Sequence, residues 1–315
     1  MLAEVVRSGF VEGVHRGSVV GLAADGTTAL AAGDPAAPVF PRSASKPLQA
    51  AAMVELGLDL DGELLALAAA SHSGEPFHLD GVRRILAGAG LDVDALRTPP
   101  EEPYDVQAAR DWLRAGHGPE PLTMNCSGKH AAMLATCVVN GWDTATYLDP
   151  EHPLQVALRA ALERYAGEPV AASGVDGCGA PVLALTLTGL AGAVRGCVLA
   201  DPASARRRVV DAMRAYPEWV GGTRRDVTAL MRGVPGLVAK DGAEGVEVAA
   251  CADGRAVAVK IDDGASRARQ VVTAGALLAL GFDHPVLAGQ RRYPLSGGGR
   301  TVGEVRAVPL TAVTA

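Results

Sequence analysis

Along the first forty residues, apolar positions gather in short runs ended by turn signals. "SVVGLAADG" (Ser18–Gly26) closes on Asp-Gly and "TTALAAG" follows at once, which predicts a β-hairpin. The middle of the chain changes period. Apolar residues recur there at three and four rather than two, predicting helices over Pro47–Leu56, Glu63–Ala70, Gly81–Ala89, Val106–Ala115, His130–Asn140, Leu154–Tyr165, Pro181–Leu190 and Ser204–Tyr216. After Gly233 strand patterns return in "GLVAK", "GVEVAACADGRAVAVKI" and "RTVGEVRAVPL". The middle one holds a second Asp-Gly turn at Asp253–Gly254, and a helix, Ser266–Leu280, separates it from the last. Strands at both ends with helices between them predict an α+β architecture. One antiparallel sheet from the N- and C-terminal segments would carry a large helical insertion. The expected layout is one domain over 1–315 with two lobes, a sheet lobe at about 1–45 and 234–315 and a helical lobe at about 46–233.

Composition narrows the partners. The chain has 315 residues, of which 49% are hydrophobic but only 4% aromatic, so alanine supplies much of the apolar surface and favours closely packed helices. The net charge is −6 with both signs interspersed, and without a basic stripe nucleic acid is not an expected partner. The uncharged apolar run Ala180 to Val194 is too short to span a bilayer and is interrupted by Pro181 and two glycines, so no membrane partner is expected. "MLAEVVRSGFVEG" breaks its apolar stretch with Glu4 and Arg7, unlike a secretory leader, and a cytoplasmic location is expected. Five cysteines, an odd number without an export signal, argue against a disulfide framework.

Several short stretches concentrate reactive side chains. In "RSASKP", Ser43 and Lys46 stand three apart, and with Ser43 capping a helix both face one side. A lysine in a first turn opposes the helix dipole, so a plain cap with a solvated lysine is a poor fit to the charge. The same placement suits a nucleophile, because the local positive potential and free backbone N–H groups stabilise an alkoxide and an oxyanion. "ASHSGEPFH" holds Ser71, His72, Ser73, Glu75 and His78 and reads either as a capped interhelical loop or as a second wall supplying a hydroxyl. "TMNCSGKHAAMLATC" crowds Asn125, Cys126, Ser127, Lys129 and His130 before a helix. "SGVDGCGAP" places Asp176 and Cys178 among three glycines. Two cysteines in polar glycine loops fit a shared zinc or a shielded thiol, and elementary donor chemistry favours His130 or Asp176 as the next ligand. In "AKDGAEGV", Lys240 ends a strand, as a surface turn residue or as a side chain aimed at Ser43.

Taken together, "RSASKPLQ", "SHSGEP", "NCSGKHAAML", "DGCGAP" and "KDGAEGV" occur in this order from Arg42 to Val246 and resemble the asparaginase II family of bacterial L-asparaginases. The flanks resemble it too, so the likeness covers essentially the whole chain. It implies a fold like that of serine β-lactamases and glutaminases. Residue by residue, it implies Ser43 as nucleophile, Lys46 as its base, and Ser71 with Lys240 as a second serine–lysine pair, Lys260 being held in reserve. It implies a zinc site of Cys126, Lys129 and Cys178, although a lysine must lose a proton to bind a metal. Arg42, His72, Glu75, Asn125, His130 and Asp176 are expected around the substrate. The implied reaction is hydrolysis of L-asparagine by a cytoplasmic homodimer. A glutaminase or other serine amidohydrolase is the alternative, since one methylene is worth only about 1–3 kcal/mol of discrimination. A non-catalytic, zinc-stapled binding protein is a third reading, which the Ser43–Lys46 pair opposes.

Overall fold

A computed structural model describes residues 1–310. The two ends of the chain form two antiparallel sheets. In one, β1 (Ala3–Arg7) lies between β2 (Phe10–His15) and β13 (Arg300–Ala307), and β13 pairs with β12 (Arg292–Gly297). In the other, the order is β4 (Thr28–Ala32), β3 (Gly17–Leu22), β11 (Ala256–Ile261), β10 (Val246–Cys251), β9 (Leu237–Gly242). The single sheet expected from the chain ends is thus corrected to two. The chain crosses from one to the other at Arg16, whose carbonyl accepts from the Asp262 N–H just beyond β11. Apolar spacing identifies strands but not their partners. Both Asp-Gly turns form, with Gly26 at φ +93° between β3 and β4 and Gly254 at φ +91° between β10 and β11. Two short ladders pair β5 (Pro38–Val39) with β8 (Leu185–Thr186), and β6 (Ser173–Val175) with β7 (Pro181–Leu183).

Between β4 and β9 the chain is mostly helical: α1 (Lys46–Glu55), α2 (Gly62–Ala68), α3 (Pro76–Gly88), α4 (Val106–Arg114), α5 (Ser127–Asn140), α6 (Pro153–Ala166), α7 (Leu187–Val198), α8 (Ala205–Ala215), α9 (Pro217–Val220) and α10 (Asp226–Gly233). Then α11 (Ser266–Ala279) and α12 (Pro285–Gln290) follow β11. Alanines on α1 and α2, among them Ala50, Ala51, Ala66 and Ala68, are fully buried, and so small a side chain lets neighbouring helices approach closely. Every residue of β10 is buried, because α7 and α11 both pack against it. The helix expected at Pro181–Leu190 begins instead at Leu187, after two short strands. An uninterrupted apolar run suits strand and helix alike, and the Thr186 hydroxyl, accepting from the Gly189 N–H at 2.8 Å, fixes the start. Among the described residues no helix is long and apolar enough to cross a membrane. The start of α1, the end of β9 and the loops before α3 and α5 meet at one cleft.

Candidate active site

Lysine is seldom fully buried, because its ammonium gives up hydration. Here Lys46 and Lys240 are 1% exposed and Lys129 2%. All three touch the wall of one cleft of about 610 Å³. Arg42, Ser43, Ser71, Asn125, Cys126, Asp176 and Cys178 line it.

Ser43 lies in a 3₁₀ turn, Arg42–Ser45, directly ahead of α1. It is therefore not the cap of α1; Ser45 takes that position, Lys46 opens the helix and Pro47 follows. Three residues complete a 3₁₀ turn, so Ser43 and Lys46 still share one side. Arg42 holds φ at +49°, a conformation costing a non-glycine residue on the order of 1 kcal/mol. Its guanidinium Nε donates to Asp176 Oδ1 at 2.6 Å, which ties the turn to the Cys178 loop. From the other side Gly242, the last residue of β9, presses on the turn. A Cβ there would stand 2.6 Å from the Pro41 carbonyl oxygen, so glycine is required by contact alone.

Lys46 Nζ lies 2.6 Å from the Ala70 carbonyl, 3.0 Å from Ser71 Oγ and 3.0 Å from Cys126 Sγ. Among the described residues it is thus bonded to Ser71 rather than to Ser43. Lys240 Nζ donates to the Asp241 carbonyl at 2.6 Å and to Asp241 Oδ1 at 2.9 Å. Burial pushes Lys240 down to about 8; Asp241 resists the fall and the charge of Lys46 adds to it. Lys260 is placed elsewhere. It donates to the Glu244 carbonyl at 2.8 Å and does not line the cleft.

Three residues expected at the substrate do not line the cleft: His72, Glu75 and His130. The reason is that each is already spent on the scaffold. His72 Nδ1 accepts from the Gly74 N–H, leaving Nε2–H for Ser127 Oγ at 2.9 Å. Burial, then the neighbouring His78 and Lys46, keeps it well below the ordinary histidine range. Glu75 binds the loop before α10, accepting from Thr223 N and Thr223 Oγ1, each at 2.8 Å. Among the cleft residues that sequence reasoning missed are Arg225, and Asp241, whose Oδ2 Arg225 binds. The Lys-Asp pair at 240–241 was the only available signal, and it reads first as a turn.

The two cleft thiols differ sharply. A hydrogen bond from Cys126, and then the charge of Lys129, drives Cys178 far below the usual thiol range despite burial. Cys126 is held well above it by the same partnership and by burial. Lys129 Nζ lies 3.3 Å from Cys178 Sγ. Burial opposes its charge, but Cys178, Cys126 and Asp176 outweigh burial and hold it above the ordinary lysine value. Among the described residues no three His, Cys, Asp or Glu side chains are grouped to hold a metal, so a metal on Cys126 and Cys178 would need Lys129 as its third donor. His130 is poorly set for that role. Tyr147 OH accepts from the Arg97 N–H and lies 2.7 Å from His130 Nδ1, so the hydroxyl donates to Nδ1 and the ring proton sits on Nε2. Buried Nε2 then turns a proton, not a lone pair, toward its surroundings. Two sulfurs and one amine would match zinc's preference for sulfur and nitrogen donors once Lys129 and Cys126 give up their protons.

Among solved structures, the native form of Mglu is 16% identical, with 89% of this chain and 68% of that one covered and a TM-score of 0.44. A β-lactamase from Mycobacterium bovis is 14% identical, with 84% and 95% covered and a TM-score of 0.46. No curated protein matches significantly. The family model described as L-asparaginase II matches residues 3–307, which spans both sheets and every helix between them, and the chain belongs to that family.

Proposed function

We propose that this chain, as an amidohydrolase of its family, hydrolyses L-asparagine to L-aspartate and ammonia through an acyl-enzyme on Ser43. The observation that carries the reading is a cleft serine one 3₁₀ turn from a buried lysine, which itself bonds a second cleft serine at 3.0 Å. Ser43 Oγ attacks the side-chain amide carbon while its proton passes to Lys46. Backbone N–H groups at the start of the turn stabilise the oxyanion. Lys46 returns the proton through Ser71 to the departing nitrogen, the C–N bond breaks and ammonia leaves. Water then cleaves the ester, and its proton restores Ser43. Arg42 and Asp176 exchange their mutual bond for the α-carboxylate and α-ammonium of the substrate, and Asn125 adds a polar contact. Cys126, Lys129 and Cys178 would hold zinc, which supplies a fixed positive charge tying together the two loops that carry them.

Ser43→Ala should lower kcat for ammonia release by about three orders of magnitude or more while the fold persists by circular dichroism. Near-normal turnover in that variant would end the assignment. Parallel rates on asparagine and glutamine test the substrate. A preference above about tenfold for asparagine is expected, and a preference for glutamine would overturn it.

A further inference from the structure

We propose that Asp241, braced by Arg225, is a positioning residue that holds the Lys240 ammonium against the Ser43 turn. This rests on the reading of Ser43 as nucleophile. Lys240 and Asp241 are adjacent on β9, and Gly242, which follows them, is the residue pressed on that turn. An ammonium carries three donors. Asp241 accepts two of them, one on its carbonyl and one on Oδ1. Among the described residues the third has no partner, although Lys240 is buried. A brace that left a buried donor idle would be poor for stability. It is useful where that donor faces a reacting group.

The brace has its own support. Arg225 binds Asp241 Oδ2 and lies over the Tyr104 ring, 4.7 Å from its centre. The loop that carries Arg225 is fastened by the Ser71–Pro76 segment. Ser71 N–H donates to the Val220 carbonyl at 3.0 Å, Ser73 Oγ to the Gly221 carbonyl at 2.8 Å, and Glu75 accepts twice from Thr223. Ser71 of this motif lines the cleft, while Ser73 and Glu75 thus work at one remove, through Arg225 and Asp241, on Lys240. A buried ion pair contributes little net stability over an apolar substitute, so stability alone does not account for this set.

The charged groups around the brace are Lys46 at the start of α1, Arg225 before α10, Asp226 on α10, Glu247 on β10 and Arg269 on α11. Glu247 stands opposite Asp241 across β9 and β10 and is bound by Arg269, which also binds Asp226. Lys240 acts as a cation, so activity should fall as pH rises through about 8. The carboxylate of Asp241 supports the charge on Lys240 and the cation of Arg225 opposes it. Removing each should therefore move the alkaline limb in opposite directions.

The test is the pH profile of kcat for asparagine in the full chain. Asp241→Asn should move the alkaline limb to lower pH and cut kcat at pH 8 by about tenfold or more, with KM changed less than about threefold. Arg225→Gln should move the limb to higher pH with a lower plateau, and Asp241→Glu should restore the native limb. An Asp241→Asn enzyme whose limb stays in place, whatever its kcat, overturns the proposal, because damage to the scaffold lowers the plateau without moving the limb. Should Asp241→Asn fail to fold, a limb that does not rise in Arg225→Gln overturns it equally. An inactive Ser43→Ala beside an unshifted Asp241→Asn would leave the nucleophile standing and the brace refuted.

Discussion

Glu75 gives the sharpest contrast between a contact with substrate and a contact with scaffold. It is 8% exposed, and its two carboxylate oxygens accept from the backbone N–H and the hydroxyl of Thr223. A hydrogen bond to a charged group contributes about 1.5–3 kcal/mol. Thr223 is exposed, so water replaces part of what truncation removes. Glu75→Ala should therefore cost about 3 kcal/mol, the lower end for two bonds. Glu75→Gln keeps both contacts, because its oxygen still accepts from the Thr223 N–H and its NH₂ can donate to a rotated hydroxyl. It should cost about 1 kcal/mol. At roughly 2 °C per kcal/mol for a chain of this size, the midpoint should fall by about 6 °C in the first variant and about 2 °C in the second. Differential scanning calorimetry and steady-state kinetics on the same preparations make the test. The loosened Arg225 loop should lower kcat more than it raises KM. An unchanged midpoint with KM for asparagine raised tenfold would show that Glu75 touches the substrate, and the placement would be wrong.

Two further predictions concern protons and metal. His78 and His130 are each pushed down to about 4, chiefly by burial, against an ordinary value of 6.5. The unfolded chain takes up protons that the folded chain refuses, so this stability is full above pH 6.5 and drains as pH falls toward 4, by about 3 kcal/mol for each ring. His78→Gln should flatten the slope of melting midpoint against pH in that window, and a slope equal to that of the native protein would refute the account. Because Lys129 is held protonated by the thiol pair, zinc binding should release a proton from it and weaken as pH falls. Calorimetry in buffers of different ionisation heat reads that release, and zinc uptake that survives Cys178→Ser would exclude the site.

Part of the cleft was legible in the sequence, because polar and ionisable residues crowded at fixed spacing stand out from an apolar pattern, and Ser43, Ser71, Asn125, Cys126, Asp176 and Cys178 all line it. Ser43 with Lys46 and the cysteine loops stood out for that reason. Their context was harder to read. A spacing of three suits both a capped α-helix and a 3₁₀ turn, so the position of Ser43 ahead of the cap came only from the backbone. Asp241 was hidden by its neighbours, since Lys-Asp-Gly reads as a turn while the strand runs on through Gly242. His72 and Glu75 look like substrate ligands because polar residues beside a glycine suit a site and a loop anchor equally. Only their partners, Ser127 and Thr223, tell the two apart. The split into two sheets was invisible because every residue of β10 is apolar or buried, which removes the alternation that would have marked its faces.

The pairing of the two chain ends sets an order in time. Ser43 emerges from the ribosome early, while Lys240 and its brace lie roughly two hundred residues later, a delay on the order of 10–40 s at ordinary synthesis rates. β3 lacks its β11 neighbour until after that point. A nascent or truncated chain ending before β9 therefore carries Ser43 and Lys46 in a helical body without Lys240 or Gly242, the glycine pressed on the serine turn. Under the proposed function, ammonia release would therefore report completed synthesis, and a chain cut before β9 should release none.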